Sequence, residues 1–351
     1  VQLLKSAAEL ANTQKQNALV SPFKNKIVHF FVKYGTLLVI LALIVSFTIL
    51  NDRFLTYSNF ADILRSISIV TLVALGVTFT LIVGGFDLSV GSTVSLATIA
   101  SAASLVWFRQ ELLVALLIPI ILGIVIGLIN AFITIKIRIP DLLATLAVMY
   151  IVNGIQLTYT KGFSIYNNMP MDDGTTAPGK FIPSFLFIGQ GEIAGVPFPA
   201  IFMIVCVILV HLFLTYTRAG RLLYMTGSNR EAARLSGVAV QRYRTLAYVL
   251  SGLFASIAGI VLASRIGTGQ VSAGAPLLMD GVAAALIGYS VLGAGKPNAL
   301  GTFVGAVLIG ILLNGLTMLN VPYYAQDIIK GTILIAALAF TFYQNKREIK
   351  M

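Results

Sequence analysis

Long apolar runs separated by short polar breaks dominate this chain, and their length is the first thing to read. A hydrocarbon layer about 30 Å thick needs about 20 mainly apolar residues per helix. Runs of that kind cover Tyr34–Leu50, Ser66–Gly84, Leu88–Trp107, Leu112–Ile135 and Leu142–Thr160. After a polar interval come Phe198–Tyr216, Thr245–Ser264, Gly281–Gly293, Asn298–Leu319 and Ala325–Tyr343. The pattern predicts an all-α polytopic membrane protein of about ten transmembrane helices. Gly281–Gly293 is too short to cross unless it is extended, bent or re-entrant. The expected organisation is a polar tail over residues 1–33, a transmembrane domain over 34–343 and a short tail over 344–351. Two polar intervals exceed ordinary connection length, 161–197 and 217–244.

Composition agrees with that pattern. Of the 351 residues, 58% are hydrophobic and 11% charged. Soluble chains carry about 25% charged residues, and a soluble domain with so few would lack polar surface to face water. The 31 glycines show no three-residue period, which excludes a collagen-like reading. Cys206 is the single cysteine, so no intrachain disulfide can form. Residues 1–33 contain no early apolar segment with a cleavage site, so the first span is expected to act as its own targeting signal.

A net charge of +11 on a soluble chain would point to nucleic acid. Here the charges lie between apolar runs and set orientation instead, and no nucleic-acid partner is expected. With the N-terminus inside and ten alternating spans, 17 Lys and Arg lie on the cytoplasmic side and six outside. Both termini are therefore expected in the cytoplasm, with 161–197 an extracytoplasmic loop and 217–244 a cytoplasmic one.

Three segments carry candidate function. The first is Gly84-Gly85-Phe86-Asp87-Leu88-Ser89. Paired glycines permit a sharp break. Asp87 then reads either as the cap of the next helix near the cytoplasmic end, with Ser89 in its first turn, or as part of a broken helix lining a transport path. The second is Gly227 to Val238, where Asn229 is a candidate N-cap and Gly237 a candidate C-cap. The short helix between them carries Glu231, Ala232, Ala233, Arg234 and Ser236, and its small face suits docking into a groove on another protein. The third is the glycine-bearing last third of the chain. There the Gly301/Gly305 pair, like Gly123/Gly127 earlier, is expected to bring helix backbones together within one chain. Polar residues inside apolar runs are Asn153 and Gln156, three apart on one helical face, Asn314, and an Asp327–Lys330 pair. Asn153, Gln156 and Asn314 are candidates for the path or for interhelical hydrogen bonds. No GxxxxGK[ST], GxSxG or HExxH pattern occurs, so energy for any pumping is expected to enter through a partner.

Taken in order, Gly85 to Gly91, Ala144 to Ala147, Asn229 to Val238, Tyr248 to Gly252 and Asn298 to Thr302 resemble the permease subunits of bacterial ribose-type ABC importers. The similarity runs from about Phe54 to Phe342. It implies about ten helices in the arrangement of vitamin B12-type (type II) importers, paired with a second permease copy or a paralogue. It also implies an ABC ATPase subunit docked on the coupling helix, which matches Gly227, Asn229, Glu231, Ala232, Ala233, Arg234, Ser236 and Gly237. ATP and Mg would bind that ATPase, leaving no cofactor in this chain, and an extracytoplasmic sugar-binding protein would deliver the substrate. The function implied is import of ribose or a similar monosaccharide across the bacterial cytoplasmic membrane, without catalysis by this chain. Phe86, Tyr289 and Ala294 depart from the family's usual residues. A single-chain ion- or proton-coupled transporter is the alternative; it predicts a paired ion site near mid-membrane and gives the arginine-rich segment no task.

Overall fold

The computed structural model describes residues 22–289, 291, 295–333 and 335. Residues 1–21, the 344–351 tail and the last expected run beyond residue 335 lie outside them. The helices are α1 (Pro22–Leu50), α2 (Tyr57–Ile82), α3 (Val90–Ala102), α4 (Leu112–Ala131), α5 (Asp141–Thr160) and α6 (Pro183–Gln190). A short hairpin follows, β1 (Glu192–Ile193) with β2 (Val196–Pro197). Then come α7 (Phe198–Tyr216), α8 (Arg218–Ser228), α9 (Arg230–Leu235), α10 (Val240–Ile266), α11 (Ala275–Ile287) and α12 (Ala299–Met318), with residues 323–333 also helical. α3 and α4 each widen into a π turn, over Ala103–Trp107 and Phe132–Ile137.

With α3 and α4 taken together with their π turns, seven of these helices are long and apolar enough to cross a membrane, while Tyr34–Leu50 within α1 and α11 are shorter apolar helices. α1 begins at Pro22, inside what the sequence presents as a polar tail. α11 starts six residues before the expected Gly281, because the chain feeding it dips back into the bundle. There the Gln270 amide donates to Thr98 Oγ1 at 3.2 Å, and the Gly274 amide to Ser95 Oγ at 2.8 Å. Serine and threonine hydroxyls on α3 thus satisfy a non-helical backbone that lipid could not.

α2 and α10 form the centre. Phe79 of α2 meets Phe254 of α10 and Phe213 of α7 at ring-centroid distances of 5.8 and 6.2 Å. α4 crosses α10 where Gly123 and Gly252 lie backbone against backbone, with no room for a Cβ on either. Gly127 lies equally close to Tyr248, and Gly301 and Gly305 lie against Gly288 and Ala284 of the α11 segment. Both GxxxG pairs therefore pack within the chain, as expected of small residues where dispersion rather than hydrophobic expulsion holds helices together.

Polar contacts gather the connections at two ends. At one, Arg65 pairs with Glu192 at 2.6 Å, Gln190 donates to the Ser264 carbonyl, and Ile165 bridges to Gly269. At the other, Arg244 pairs with Asp141 at 2.8 Å, Arg230 reaches Gly84, and Tyr224 donates to the Pro297 carbonyl at 2.7 Å. Lys296 lies over the Tyr224 ring, 4.8 Å from its centre. This second, basic end is the one that holds the Arg218-to-Arg244 segment.

Candidate functional site

The centre of the site is the break between α2 and α3. α2 ends in a Schellman turn: the Gly84 amide donates to Leu81 and the Gly85 amide to Thr80, with Gly84 at φ +66°. Gly85 packs on the Tyr248 phenol, where a Cβ would lie 2.8 Å from the hydroxyl. The chain then turns inward, and the Leu88 amide donates to Thr145 Oγ1 of α5 at 3.1 Å.

That turn buries Asp87, which is 1% exposed. Its carboxylate accepts four hydrogen bonds, from the Ser89 amide (2.9 Å), Ser89 Oγ (2.6 Å), Asn130 Nδ2 (3.2 Å) and Ser251 Oγ (2.8 Å). Asn130 also donates to Ser89 Oγ at 2.7 Å. One carboxylate thus ties α3, α4 and α10 together, and the glycine crossing of α4 on α10 is what brings Asn130 and Ser251 to it. The expected cap is corrected in one respect. Ser89, not Asp87, occupies the N-cap position of α3, and Asp87 closes a local turn onto Ser89. Asp87 is buried where α3, α4 and α10 meet, three residues past Gly84 of the basic end.

The other expected path residues are spread apart. Gln156 is fully buried and donates to the Ser92 carbonyl at 2.8 Å, joining α5 to α3 close to the break. Asn153, on the same helix, is half-buried. Asn314 lies far from Asp87, its amide donating at 2.9 Å to Asn59 in the first turn of α2. Lys330 reaches Asp327 at 3.6 Å and Asp280 at 3.1 Å, so the expected pair is a triad whose buried member is Asp280 of α11. Asp280 escapes sequence reading because it precedes the expected Gly281–Gly293 run, and for Asn130, a polar residue inside Leu112–Ile135, nothing local points to its partner Asp87. Ser251 stands inside the quoted Tyr248-to-Gly252 motif, yet nothing local shows that it meets Asp87.

The segment at the basic end forms two helices rather than one. Thr217 Oγ1 caps α8 by accepting from Gly220 at 3.1 Å. Asn229 Oδ1 caps α9 by accepting from the Ala232 amide at 3.0 Å. Gly237, at φ +81°, closes α9 with amide bonds from Gly237 to Arg234 and from Val238 to Ala233. Glu231 and Arg234 pair at 2.7 Å on the outer face. Gly227 ends up in α8, pressed on the Ile82 carbonyl with no room for a Cβ. Ala233 is corrected: at 2% exposure it packs inward, because α9 rests on α8 and α10. Ala232, Glu231, Ser236 and Gly237 face outward, and so does Leu235 at 81% exposure. Outside the spans, burial beside Tyr289 pushes the Tyr224 phenol up to about 12, so it stays protonated and keeps its bond to Pro297 near neutral pH.

Seven helices long and apolar enough to cross a membrane, packed around a buried break, describe a multi-pass membrane protein. The protein family described as branched-chain amino acid transport system / permease component matches residues 59–338. The ribose import permease RbsC of Escherichia coli K12 is 35% identical over 313 residues, 89% of this chain and 94% of that protein. RbsC of Bacillus subtilis 168 is 36% identical over 306 residues, 87% and 91% of the two chains. The L-arabinose transport system permease AraH of E. coli K12 is 35% identical over 318 residues, 90% and 92%. No solved structure matches. The chain belongs to this permease family and is a non-catalytic membrane subunit of an ABC transporter.

Proposed function

We propose that the chain is the permease of an ATP-driven importer of a monosaccharide of the ribose or arabinose class in the bacterial cytoplasmic membrane. The observation that carries this is the α8–α9 segment. It is capped at both ends, offers Leu235 to solvent and touches the break at Gly84. An exposed leucine beside Arg234 at the basic end is an anchor for a cytoplasmic protein, and the partner is an ATPase that holds ATP and Mg itself. The docking face is Glu231, Ala232, Arg234, Leu235, Ser236 and Gly237, with Asn229, Gly227 and Ala233 holding its shape. Residues 161–197 face the outside, where a soluble sugar-binding protein delivers substrate.

The path runs beside Asp87 and Ser89, which fix the break, and along the Asn153 and Gln156 side of α5. Asn314 contributes at the outer end through its bond to Asn59. A second permease copy or a paralogue covers the exposed side of α5, completing a dimer of ten-helix subunits in the type II arrangement. The family description names branched-chain amino acids, whereas the relatives' names are ribose and arabinose permeases. Similarity to those relatives over about nine-tenths of the chain favours the sugar.

Uptake decides. Expressed with its ATPase and binding protein in cells lacking their own ribose, arabinose and leucine importers, the chain is expected to drive accumulation of labelled ribose or arabinose. Accumulation of leucine alone would replace the sugar by an amino acid.

A further inference from the structure

Among the described residues, the hydrogen bonds from the docking segment to the break come from one side chain. Arg230, the first residue of α9, donates from a single guanidinium nitrogen to the Val83 carbonyl at 3.2 Å and the Gly84 carbonyl at 3.0 Å. The Schellman turn satisfies the Thr80 and Leu81 carbonyls, and after Ile82, whose carbonyl faces Gly227, come the two that Arg230 reaches. Arg230 therefore extends the capping of α2 from another element, with a positive charge at the negative end of the helix dipole. Three residues beyond Gly84 stands Asp87, bound to α3, α4 and α10.

Two further contacts define what this side chain can do. Gly227 seats α8 on the Ile82 carbonyl, so α8 and the end of α2 are in backbone contact. On the other side, Arg230 borders a cavity of about 390 Å³ shared with Arg138, Asp141 and Arg244. Asp141 is already engaged by Arg244 at 2.8 Å. Arg230 is thus held by backbone carbonyls rather than by a carboxylate, with space beside it to move.

We propose that Arg230 is a positioning residue, the strut through which displacement of the docking segment is passed to the Gly84–Asp87 break. This rests on the reading that an ATPase docks on α9. A push on α9 moves the guanidinium, the guanidinium carries the last carbonyls of α2, and the short extended link carries Asp87 and the helices tied to it. Leu235 grips the partner, whereas Arg230 transmits.

The test uses the full-length chain reconstituted with its ATPase and binding protein, comparing the parent with Arg230→Met and Arg230→Lys. Hydrogen exchange of the peptide covering residues 81–91 is followed with and without ATP, beside ATP hydrolysis and uptake of labelled ribose. Shielding of Cys206, buried in the bundle, from a thiol dye checks folding. In the parent, ATP is expected to change exchange in this peptide. In Arg230→Met the ATPase stays bound and hydrolyses ATP, the exchange response is lost, and ribose moved per ATP falls about tenfold, the size of an ordinary coupling free energy. Arg230→Lys restores part of the response, and decides the matter alone if the methionine variant does not fold. A response of parental size in Arg230→Met, or one undiminished in Arg230→Lys, overturns the strut. Loss of the bound ATPase also overturns it, because the residue would then be a docking contact. An ATPase that never binds the parent chain overturns the functional reading and the strut with it.

Discussion

Asp87 is held by four donors inside a helical bundle, and its replacement shows what it does there. In Asp87→Leu these donors lose their acceptor in a buried place, where each stranded group costs about 1–3 kcal/mol. Asp87→Asn keeps one carbonyl oxygen and is expected to cost less. The predicted order of thermal stability in detergent is parent, then Asn, then Leu, read from the temperature at which buried Cys206 becomes reactive to a dye. Equal midpoints for parent and Asp87→Leu would remove the hub. At this scale the sequence was legible where a residue acts on its own backbone: the paired glycines, Asn229 as a cap and Gly237 at positive φ all follow from local chemistry. That Asp87 meets Ser251, 164 residues away, and Asn130 was not legible, because nothing local pairs these positions.

At the scale of elements, length and apolarity located most of the helices, since the bilayer imposes that rule on every span alike. Periodicity failed where an element is short or its backbone is held by side chains from elsewhere. α11 is displaced from its apolar run because Ser95 and Thr98 draw the preceding chain into the bundle. α9 has six residues, too few for its inward and outward faces to be told apart from pattern, and so the pattern offers Ala233 to a partner although it faces its own chain. The corrected faces lead to a paired prediction. Leu235→Asp adds a charge at an exposed knob, so the chain should insert and fold normally yet lose co-purified ATPase. Ala233→Asp buries a charge under α9 and should lower the Cys206 melting temperature even without the ATPase. If Leu235→Asp keeps its ATPase, the outer face of α9 is not the anchor.

For the whole molecule, the charge arithmetic and the fold meet at the basic end. Alternation of the spans puts Lys136, Arg138 and the Arg218-to-Arg244 segment there, and the contacts among Arg230, Gly84, Arg244, Asp141, Tyr224 and Pro297 hold that end together. Residues 161–197 close over the opposite end through Gly179 on Val106, Ile165 on Gly269 and Gln190 on Ser264. Lys and Arg bias in short loops sets orientation during insertion, and the basic end should therefore face the cytoplasm. The fold fixes which loops share an end but not which side of the membrane that end faces, so the assignment is tested in cells. In a Cys206→Ala background, single cysteines are introduced as Thr175→Cys and Ser236→Cys, both at exposed positions. An impermeant thiol reagent should label residue 175 in intact cells and residue 236 only after the membrane is opened. The reverse pattern would invert the protein, place the α8–α9 segment outside, and leave no cytoplasmic surface on which an ATPase could act through Arg230.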